Sequence, residues 1–293
     1  MKYAYYPGCS LEKTQRGYDA SVREVFAALG VELVEIDDWN CCGATVYMSV
    51  KETVSLAVSA RNLALAERMG LDVVAPCSSC FTVLAKTNRV LKAMPELHRD
   101  VNEALAEGNL SYGGNTVVRH PLDVLMNDVG IEAILQRQKR PLQGLKIAPY
   151  YGCQIVRPDK TFDDLENPVL MDRLFTKCGG EVVAYPLKVR CCGGMLMTTF
   201  EETALKLNME LLECARQNGA ECVVTTCPLC HFNLEGYQDR INKRFGTNFA
   251  MPILYFTQLL GVVLGLEPAK LGLDASFVPL GEKLSSLTEA AYV

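Results

Sequence analysis

VVAPCSSCF, at residues 73–81, is the stretch that decides the fold, because it recurs as VVTTCPLCHF at residues 223–232. Both copies run from a pair of valines into a CxxC motif, and each cysteine lies 150 residues before its counterpart (77 and 227, 80 and 230). A short apolar run followed by a turn is typical of a strand buried in a parallel sheet. Each CxxC is therefore predicted to follow the C-terminal end of a strand.

Two further pairs of segments extend the repeat. WNCCGA at residues 39–44 and VRCCGG at residues 189–194 share the offset of 150, and YYPGC at residues 5–9 matches YYGC at residues 150–153 with an offset of 144. The spacings are C-x31-CC-x34-CxxC and C-x37-CC-x34-CxxC. Self-similarity of this kind indicates a duplicated structural unit. We divide the chain into an N-terminal unit, residues 1–144, and a C-terminal unit, residues 145–293.

The segments around these motifs alternate between strand and helix patterns. Strands are predicted at 2–6, 31–36, 71–75, 147–151, 182–185 and 222–225, and helices at 11–29, 53–69, 164–177 and 202–217. Such alternation predicts an α/β fold of two pseudo-symmetric, Rossmann-like units with parallel sheets. The C-terminal ends of parallel strands share one edge, where open α/β sheets bind ligands. The five repeated cysteines of each unit should therefore converge.

The composition sets limits on the class of protein. The chain has 293 residues, 49% of them hydrophobic, with 13 cysteines and a net charge of −5. These values argue against disorder and against nucleic-acid binding. The odd number of cysteines favours metal or redox chemistry over disulfides. Residues 251–266 are too short for a membrane span of about 20 residues and are predicted to form a buried helix. With no signal-peptide pattern at the N-terminus, the expected location is cytoplasmic.

Three kinds of site remain open from the residues alone. Two CxxC motifs suit a zinc-stabilised scaffold. Five cysteines that include an adjacent pair suit either a cubane plus a free reactive thiol, or an iron–sulfur cluster of unusual shape. Gly43, Gly193 and Gly194 fit both iron–sulfur alternatives, since glycine lets the backbone approach an inorganic core.

YYPGCS, IDDWNCCGA, PCSSC, RCCGG, CPLCHFNL and PILYFTQLLG together resemble the motifs of a known family. It is the tandem CCG (cysteine-rich) domain family to which the B subunit of heterodisulfide reductase belongs, in the cytoplasmic type of methanogens. The resemblance covers essentially the full length. It implies two non-cubane [4Fe-4S] clusters, one held by Cys9, Cys41, Cys42, Cys77 and Cys80 and the other by Cys153, Cys191, Cys192, Cys227 and Cys230. It also implies that a disulfide, CoM-S-S-CoB, is reduced between the two clusters in methanogenesis.

The resemblance further implies partner proteins. Neither a flavin-binding G-x-G-x-x-G nor an additional ferredoxin-type cysteine run occurs in the sequence, so electrons must come from another chain. The implied partners are a small ferredoxin-like subunit, together with a flavin-containing subunit where electron bifurcation would occur, and a hydrogenase or formate dehydrogenase upstream. The competing function is an electron-transfer subunit of a lactate- or glycolate-oxidising complex.

Several other side chains near the motifs are candidates for the site. His231 follows the last predicted ligand and suits either protonation of a leaving thiolate or a structural role. His120 precedes a predicted helix. Arg157, Lys188 and Arg190 lie near the second cysteine set, where cations would suit the anionic groups of the implied substrate. The remaining three cysteines have no counterpart in the other unit and are expected to be structural: Cys178, Cys214 and Cys222.

Overall fold

Two four-stranded parallel sheets form the framework of the described residues. A computed structural model describes residues 1–44, 50–157 and 162–289. One sheet has the order β2-β1-β3-β4 and the other the order β6-β5-β7-β8. All of these strand pairs are parallel. The strands are β1 (Lys2–Tyr5), β2 (Glu32–Glu35), β3 (Val73–Val74), β4 (Val118–Arg119), β5 (Lys146–Tyr150), β6 (Glu181–Val182), β7 (Cys222–Thr225) and β8 (Ile253–Tyr255). The predicted α/β fold of two Rossmann-like units is confirmed.

Helices connect the strands, as the right-handed crossovers of a parallel sheet require. Those of the N-terminal unit are α1 (Gly8–Glu12), α2 (Arg16–Ala28), α3 (Glu52–Arg68), α4 (Ser78–Ala93), α5 (Pro95–Ala106), α6 (Pro121–Asp123), a π-helical turn (Val124–Val129) and α7 (Ile131–Gln136). Those of the C-terminal unit are α8 (Leu170–Lys177), α9 (Glu201–Gln217), α10 (Pro228–Gly236), α11 (Gln238–Phe245), α12 (Phe256–Val263) and α13 (Glu282–Glu289). Short 3₁₀ turns occur at Gly194–Thr198, Pro268–Leu271 and Leu273–Ala275.

Two predicted helices are shorter than expected. Residues 11–29 form parts of two helices, α1 and α2, that meet at a turn. The helix predicted from residue 164 begins only at Leu170. The Asp163 carboxylate accepts hydrogen bonds from the backbone N–H groups of Val169 and Leu170, both at 2.9 Å. Such local side-chain-to-backbone bonds compete with helix formation, so residues 163–169 stay in a turn.

The buried helix predicted over residues 251–266 forms only at Phe256–Val263, and a strand precedes it. Ile253–Tyr255 pairs with β7 as the last strand of its sheet, and α12 follows it. A short apolar run does not distinguish a buried strand from a buried helix. The Gln258 side chain accepts from the Tyr255 backbone N–H at 2.9 Å, within a capping box that begins α12 at Phe256.

The C-terminal segment joins the two units. Helix α12 is buried along its whole length and packs against α2 of the N-terminal unit, together with residues 268–271. Gly17 and Gly272 approach each other closely, since a Cβ atom on Gly272 would lie 2.5 Å from the Gly17 Cα. Leu271 is fully buried beside Gly261 of α12.

We expect Leu271→Ala to destabilise the folded chain by about 2–5 kcal/mol, because it leaves a cavity between α2 and α12. The measurement is the free energy of unfolding from urea titration. The matched control is Lys270→Ala, since the Lys270 side chain is 55% exposed. Equal stability of the two variants would show that the segment after α12 is not part of the core.

Candidate functional site

All ten repeated cysteines follow the C-terminal ends of strands, as predicted. In the N-terminal unit Cys9 follows β1, the adjacent pair follows β2, and Cys77 follows β3. The C-terminal unit repeats this arrangement after β5, β6 and β7. The crossover direction reverses between β1 and β3, and between β5 and β7, at the switch point where α/β sheets bind ligands.

Within each unit, equivalent thiols touch. The Cys42 Sγ lies 3.2 Å from the Cys80 Sγ, and the Cys192 Sγ lies 3.5 Å from the Cys230 Sγ. Other cysteines lie beside these two thiol pairs. In the N-terminal unit Cys41 is next to Cys42, and in the C-terminal unit Cys191 is next to both Cys153 and Cys192. The duplicated sequence thus produces duplicated thiol geometry.

The two cysteine sets also meet each other. Cys77 and Cys227, the first cysteines of the two CxxC motifs, lie close enough across the boundary between the units for each thiol to shift the pKa of the other. The two loops meet there, since the Ser78 hydroxyl lies 3.3 Å from the Thr226 carbonyl oxygen. Each thiol likewise shifts the pKa of the second cysteine of its own motif. The result is one continuous series of neighbouring thiols: Cys41, Cys42, Cys80, Cys77, Cys227, Cys230, Cys192, Cys191 and Cys153. We call this the thiol series. Cys9 lies at its end, beside Cys41.

Hydrogen bonding within the thiol series favours the thiolate at particular positions. Hydrogen bonds from Cys41 and Cys80 lower the pKa of Cys42 to about 4. Hydrogen bonds from Cys153 and Cys192 lower the pKa of Cys191 to about 2. The pKa of Cys227 is lowered by Cys230 and Cys77, with help from backbone N–H groups at the start of α10. Thiolates are the metal-binding form of cysteine.

Backbone geometry leaves room beside the thiols. Gly8 and Gly152 are equivalent residues that precede Cys9 and Cys153, with φ values of +73° and +69°. A Cβ atom would lie 3.2 Å from the Cys80 Sγ at Gly8, and 3.1 Å from the Cys230 Sγ at Gly152. Glycine is required at both positions by its positive φ and by the nearby sulfur.

This donor set fits an iron–sulfur group. Soft thiolates select such clusters, and backbone N–H groups that point at sulfur stabilise them. Gly193 N and Gly194 N lie 3.3 and 3.4 Å from the sulfurs of Cys191 and Cys192. In the described ranges, no three cysteine, histidine or carboxylate side chains are grouped as ligands of a single metal ion. The thiols are instead neighbours in pairs along the thiol series.

The two candidate histidines are both buried near the CxxC loops. His120 is fully buried, and its Nε2 lies 3.0 Å from the Pro76 carbonyl oxygen. Burial lowers its pKa to about 4, so the ring is neutral. His231 is buried and stacks on Tyr255, with ring centroids 4.2 Å apart. Its Nδ1 has no hydrogen-bond partner among the described residues and lies 3.7 Å from the Glu235 carboxylate.

The three candidate cations are each bound to a carboxylate. The Lys188 Nζ lies 3.2 Å from an Asp172 oxygen and 5.7 Å from the centre of the Tyr151 ring. Arg157 pairs with Glu166 and Arg190 with Glu210, in both cases at 2.7 Å. A substrate anion at any of these cations would have to compete with that carboxylate.

The three cysteines without counterparts lie apart from the thiol series. Cys178 and Cys222 are buried in the core, and Cys214 is partly buried on α9. Burial raises the pKa values of Cys178 and Cys222 to about 12, so both are protonated.

A cavity between the two units was not predictable from the sequence. Its volume is about 270 Å³, and it is lined by the α1–α2 turn, by α10 and by the segment after α12. Lys13 and Arg16 contribute cations, and His231 and Glu235 lie on its C-terminal-unit side. Burial raises the pKa of Glu235 to about 7. These side chains come from segments more than 200 residues apart, which no local motif brings together.

A second, more open cavity of about 610 Å³ reaches the thiols of Cys9 and Cys41 at one end of the thiol series. Cys9, Cys41 and Trp39 line it together with four acidic side chains: Glu12, Glu35, Asp37 and Asp38. Both of these cysteines are exposed. Trp39 packs edge-on against Tyr6 with ring centroids 5.5 Å apart.

Comparison with protein families identifies the repeated unit. The family model of the cysteine-rich domain, CCG, matches residues 3–85 and again residues 147–235. The chain belongs to this family. The two matched ranges lie within the two predicted units, and the unit boundary at residue 144 stays a prediction.

Relatives extend the similarity to nearly the full chain. The B subunit of the ferredoxin:CoB-CoM heterodisulfide reductase of Methanosarcina mazei is 31% identical over 98% of this chain and 97% of its own length. The 8-methylmenaquinol:fumarate reductase membrane anchor subunit of Wolinella succinogenes is 35% identical over 94% and 97%. The resemblance to the family of the heterodisulfide reductase B subunit is thereby confirmed.

A solved structure shares the fold. A hypothetical protein from Helicobacter pylori superposes with a TM-score of 0.79 at 17% sequence identity, over 96% of this chain. The chain spans 52% of that protein. Across the described ranges, no helix is long and apolar enough to cross a membrane.

We expect Gly152→Ala to reduce the metal bound per chain, because its Cβ would crowd the Cys230 sulfur. Gly70→Ala is the matched control, since Gly70 has a nearly identical φ of +68° and no atom within 4 Å of the position that a methyl group would occupy. Both variants carry a backbone cost of about 1 kcal/mol. Metal content is measured by elemental analysis of the purified proteins. Equal metal content in both would show that Gly152 is needed only for the backbone conformation of the turn and not for space beside the Cys230 sulfur.

Proposed function

We propose that the chain is the catalytic subunit of a heterodisulfide reductase complex. The reaction is the two-electron reduction of CoM-S-S-CoB: the S–S bond breaks, two electrons and two protons enter, and the coenzyme M and coenzyme B thiols leave. The observation that carries the proposal is the thiol series, which runs without a break from one unit into the other. The similarity to the B subunit of the M. mazei enzyme supports it.

Each cysteine set would hold one non-cubane [4Fe-4S] cluster. The ligands would be Cys9, Cys41, Cys42, Cys77 and Cys80 in one unit and Cys153, Cys191, Cys192, Cys227 and Cys230 in the other. When bound, each cluster supplies one-electron redox chemistry, so two clusters match the two electrons that a disulfide accepts. The chain's own part is to hold both sets at one interface and to keep bulk water away from the buried thiols.

We propose that the substrate binds at the cavity of about 270 Å³ between the units, which is lined by His231, the residue after Cys230. Lys13 and Arg16 at this cavity suit the sulfonate, phosphate and carboxylate groups of the substrate. Substrate contacts by Arg157, Lys188 and Arg190, and proton donation by His231 or His120, remain predictions. His231 lines the cavity, whereas the His120 ring nitrogens both face backbone groups.

Electrons would come from partner proteins. We propose that the chain works in a cytoplasmic complex with a ferredoxin-like subunit, with a flavin-containing subunit, and with a hydrogenase or formate dehydrogenase upstream. The exposed thiols of Cys9, Cys41 and Cys191 give the site several surfaces at which such a partner would bind.

The second candidate is an electron-transfer subunit that never meets a disulfide. The 35% identity to the membrane anchor subunit of an 8-methylmenaquinol:fumarate reductase supports it, since the name of that enzyme includes no disulfide substrate. A lactate- or glycolate-oxidising complex belongs to the same class of function. In each, the two clusters would pass electrons between partner subunits, and the inter-unit cavity would bind no substrate.

Loss of one ligand should remove one cluster. We expect about eight irons per chain in the intact protein and about four in Cys42→Ala, since each set holds one four-iron cluster. Cys214→Ala is the control and should keep all of its iron. Iron, zinc and sulfide are measured on anaerobically purified protein. Two zincs per chain and no sulfide would contradict both redox functions.

Disulfide reduction should depend on the substrate and leave a spectroscopic trace. We expect the isolated complex to oxidise a reduced viologen dye when CoM-S-S-CoB is added. We also expect a cluster-associated paramagnetic signal when the protein is treated with either thiol. Dye oxidation that requires a quinone or fumarate, with no response to the heterodisulfide, would favour the electron-transfer function.

A further inference from the structure

The two CxxC loops face each other through equivalent carbonyl groups. Pro76 precedes Cys77, and Thr226 precedes Cys227, so the two carbonyls are related by the same offset of 150 residues. The Tyr18 hydroxyl lies 3.2 Å from the Pro76 oxygen and 3.0 Å from the Thr226 oxygen. A single phenol therefore donates toward both loops, one from each unit.

A second donor reaches the same carbonyls. The His120 Nδ1 accepts a hydrogen bond from the Leu122 backbone N–H at 3.1 Å, so the ring proton is on Nε2. That Nε2–H points at the Pro76 oxygen, 3.0 Å away, and also interacts with the Thr226 backbone. We call these two donors and two carbonyls the carbonyl bridge.

The aromatic rings of the bridge also span the units. Tyr18 is fully buried on α2, and its ring stacks on Tyr255 of the C-terminal unit, with centroids 4.0 Å apart and planes 1° from parallel. Tyr255 stacks in turn on His231. Tyr18 therefore belongs to the N-terminal unit by its backbone and packs against the C-terminal unit by its ring. Its hydroxyl contacts a carbonyl group of each unit.

The carbonyl bridge is not a by-product of the duplication. The residue equivalent to Tyr18, at the offset of 144, is Phe162, which has no hydroxyl. The residue equivalent to His120, at the start of the helix that follows the last strand, is Tyr255, whose hydroxyl donates to Gln15 at 2.5 Å. Both donors of the bridge therefore come from the N-terminal unit.

We propose that Tyr18 and His120 are positioning residues that fix the separation of Cys77 and Cys227, and with it the separation of the two metal groups. The proposal rests on the proposed function for the identity of those groups. Displacement of reacting groups by about 1 Å can cost a hundredfold in rate. Tyr18 and His120 are neutral hydrogen-bond donors and are not members of the cysteine sets. They therefore fix the separation of the two loops without competing for metal.

The test compares Tyr18→Phe with Tyr5→Phe in the cluster-loaded protein. Tyr5 is also fully buried, but its hydroxyl donates to Asp19 at 2.7 Å within the N-terminal unit. Each variant loses one buried phenol hydroxyl and keeps its ring. The readout is the magnetic interaction between the two reduced clusters, measured by electron paramagnetic resonance alongside iron content and melting temperature.

We expect Tyr18→Phe to change the splitting of the resonance signal that arises from the interaction between the two clusters. We also expect it to lower heterodisulfide turnover about tenfold. Its iron content and melting temperature should equal those of Tyr5→Phe. His120→Asn, which keeps a helix-capping side chain but loses the reach to both carbonyls, should change the splitting in the same way. It serves as the second variant if Tyr18→Phe does not load its clusters. Splitting equal to that of Tyr5→Phe in both variants, or no interaction in the unmodified protein, would overturn the proposal.

The outcomes separate the two proposals. If the unmodified protein does not reduce the heterodisulfide but Tyr18→Phe changes the splitting, the proposed reaction is wrong and the positioning role stands. If the reaction occurs and the splitting is insensitive to both variants, the positioning role is wrong and the proposed function stands.

Discussion

The contact between the two CxxC loops, which carry Cys77 and Cys227, is the constraint on which the rest of the structure depends. Each cysteine follows the strand beside the switch point of its sheet, so the contact requires the C-terminal edges of the two sheets to face one another. That orientation brings α12 against α2 and buries the Tyr18–Tyr255 stack between the units. The two cysteine sets form one site because residues of both units, and not of either unit alone, surround them.

The thiol series is electrostatically demanding where its members are buried, at Cys42, Cys77, Cys80, Cys192, Cys227 and Cys230. If every thiol were ionised, like charges would lie within about 4 Å of each other in a medium of low dielectric, which is strongly unfavourable. Protons shared along the thiol series relieve this, with Cys42 and Cys191 favoured as thiolates by donors on both sides. Bound metal would take the place of those protons, so metal binding at this site is coupled to proton release.

The repeat made much of the site predictable from sequence. The strand Cys222–Thr225 has the predicted bounds, and all ten repeated cysteines follow strands because motif and strand lie in one continuous segment. Tyr18 and Gln15 were not predictable, since their partners are 58 to 240 residues away and carry no local pattern. The turn at Asp163 was missed because the residue bonds to backbone N–H groups that a helix would otherwise use.

The two units differ in the aromatic rings at their interface. On one side Tyr18, Tyr255 and His231 stack beside the cavity that Lys13 and Arg16 line. On the pseudo-symmetric side the equivalent rings are Phe162, His120 and Phe81, which pack together with centroids about 6 Å apart. A strictly symmetric site would bind a disulfide with two different halves in either of two orientations. Because specificity is a difference between affinities, divergence of these two ring groups would give such a substrate one preferred orientation.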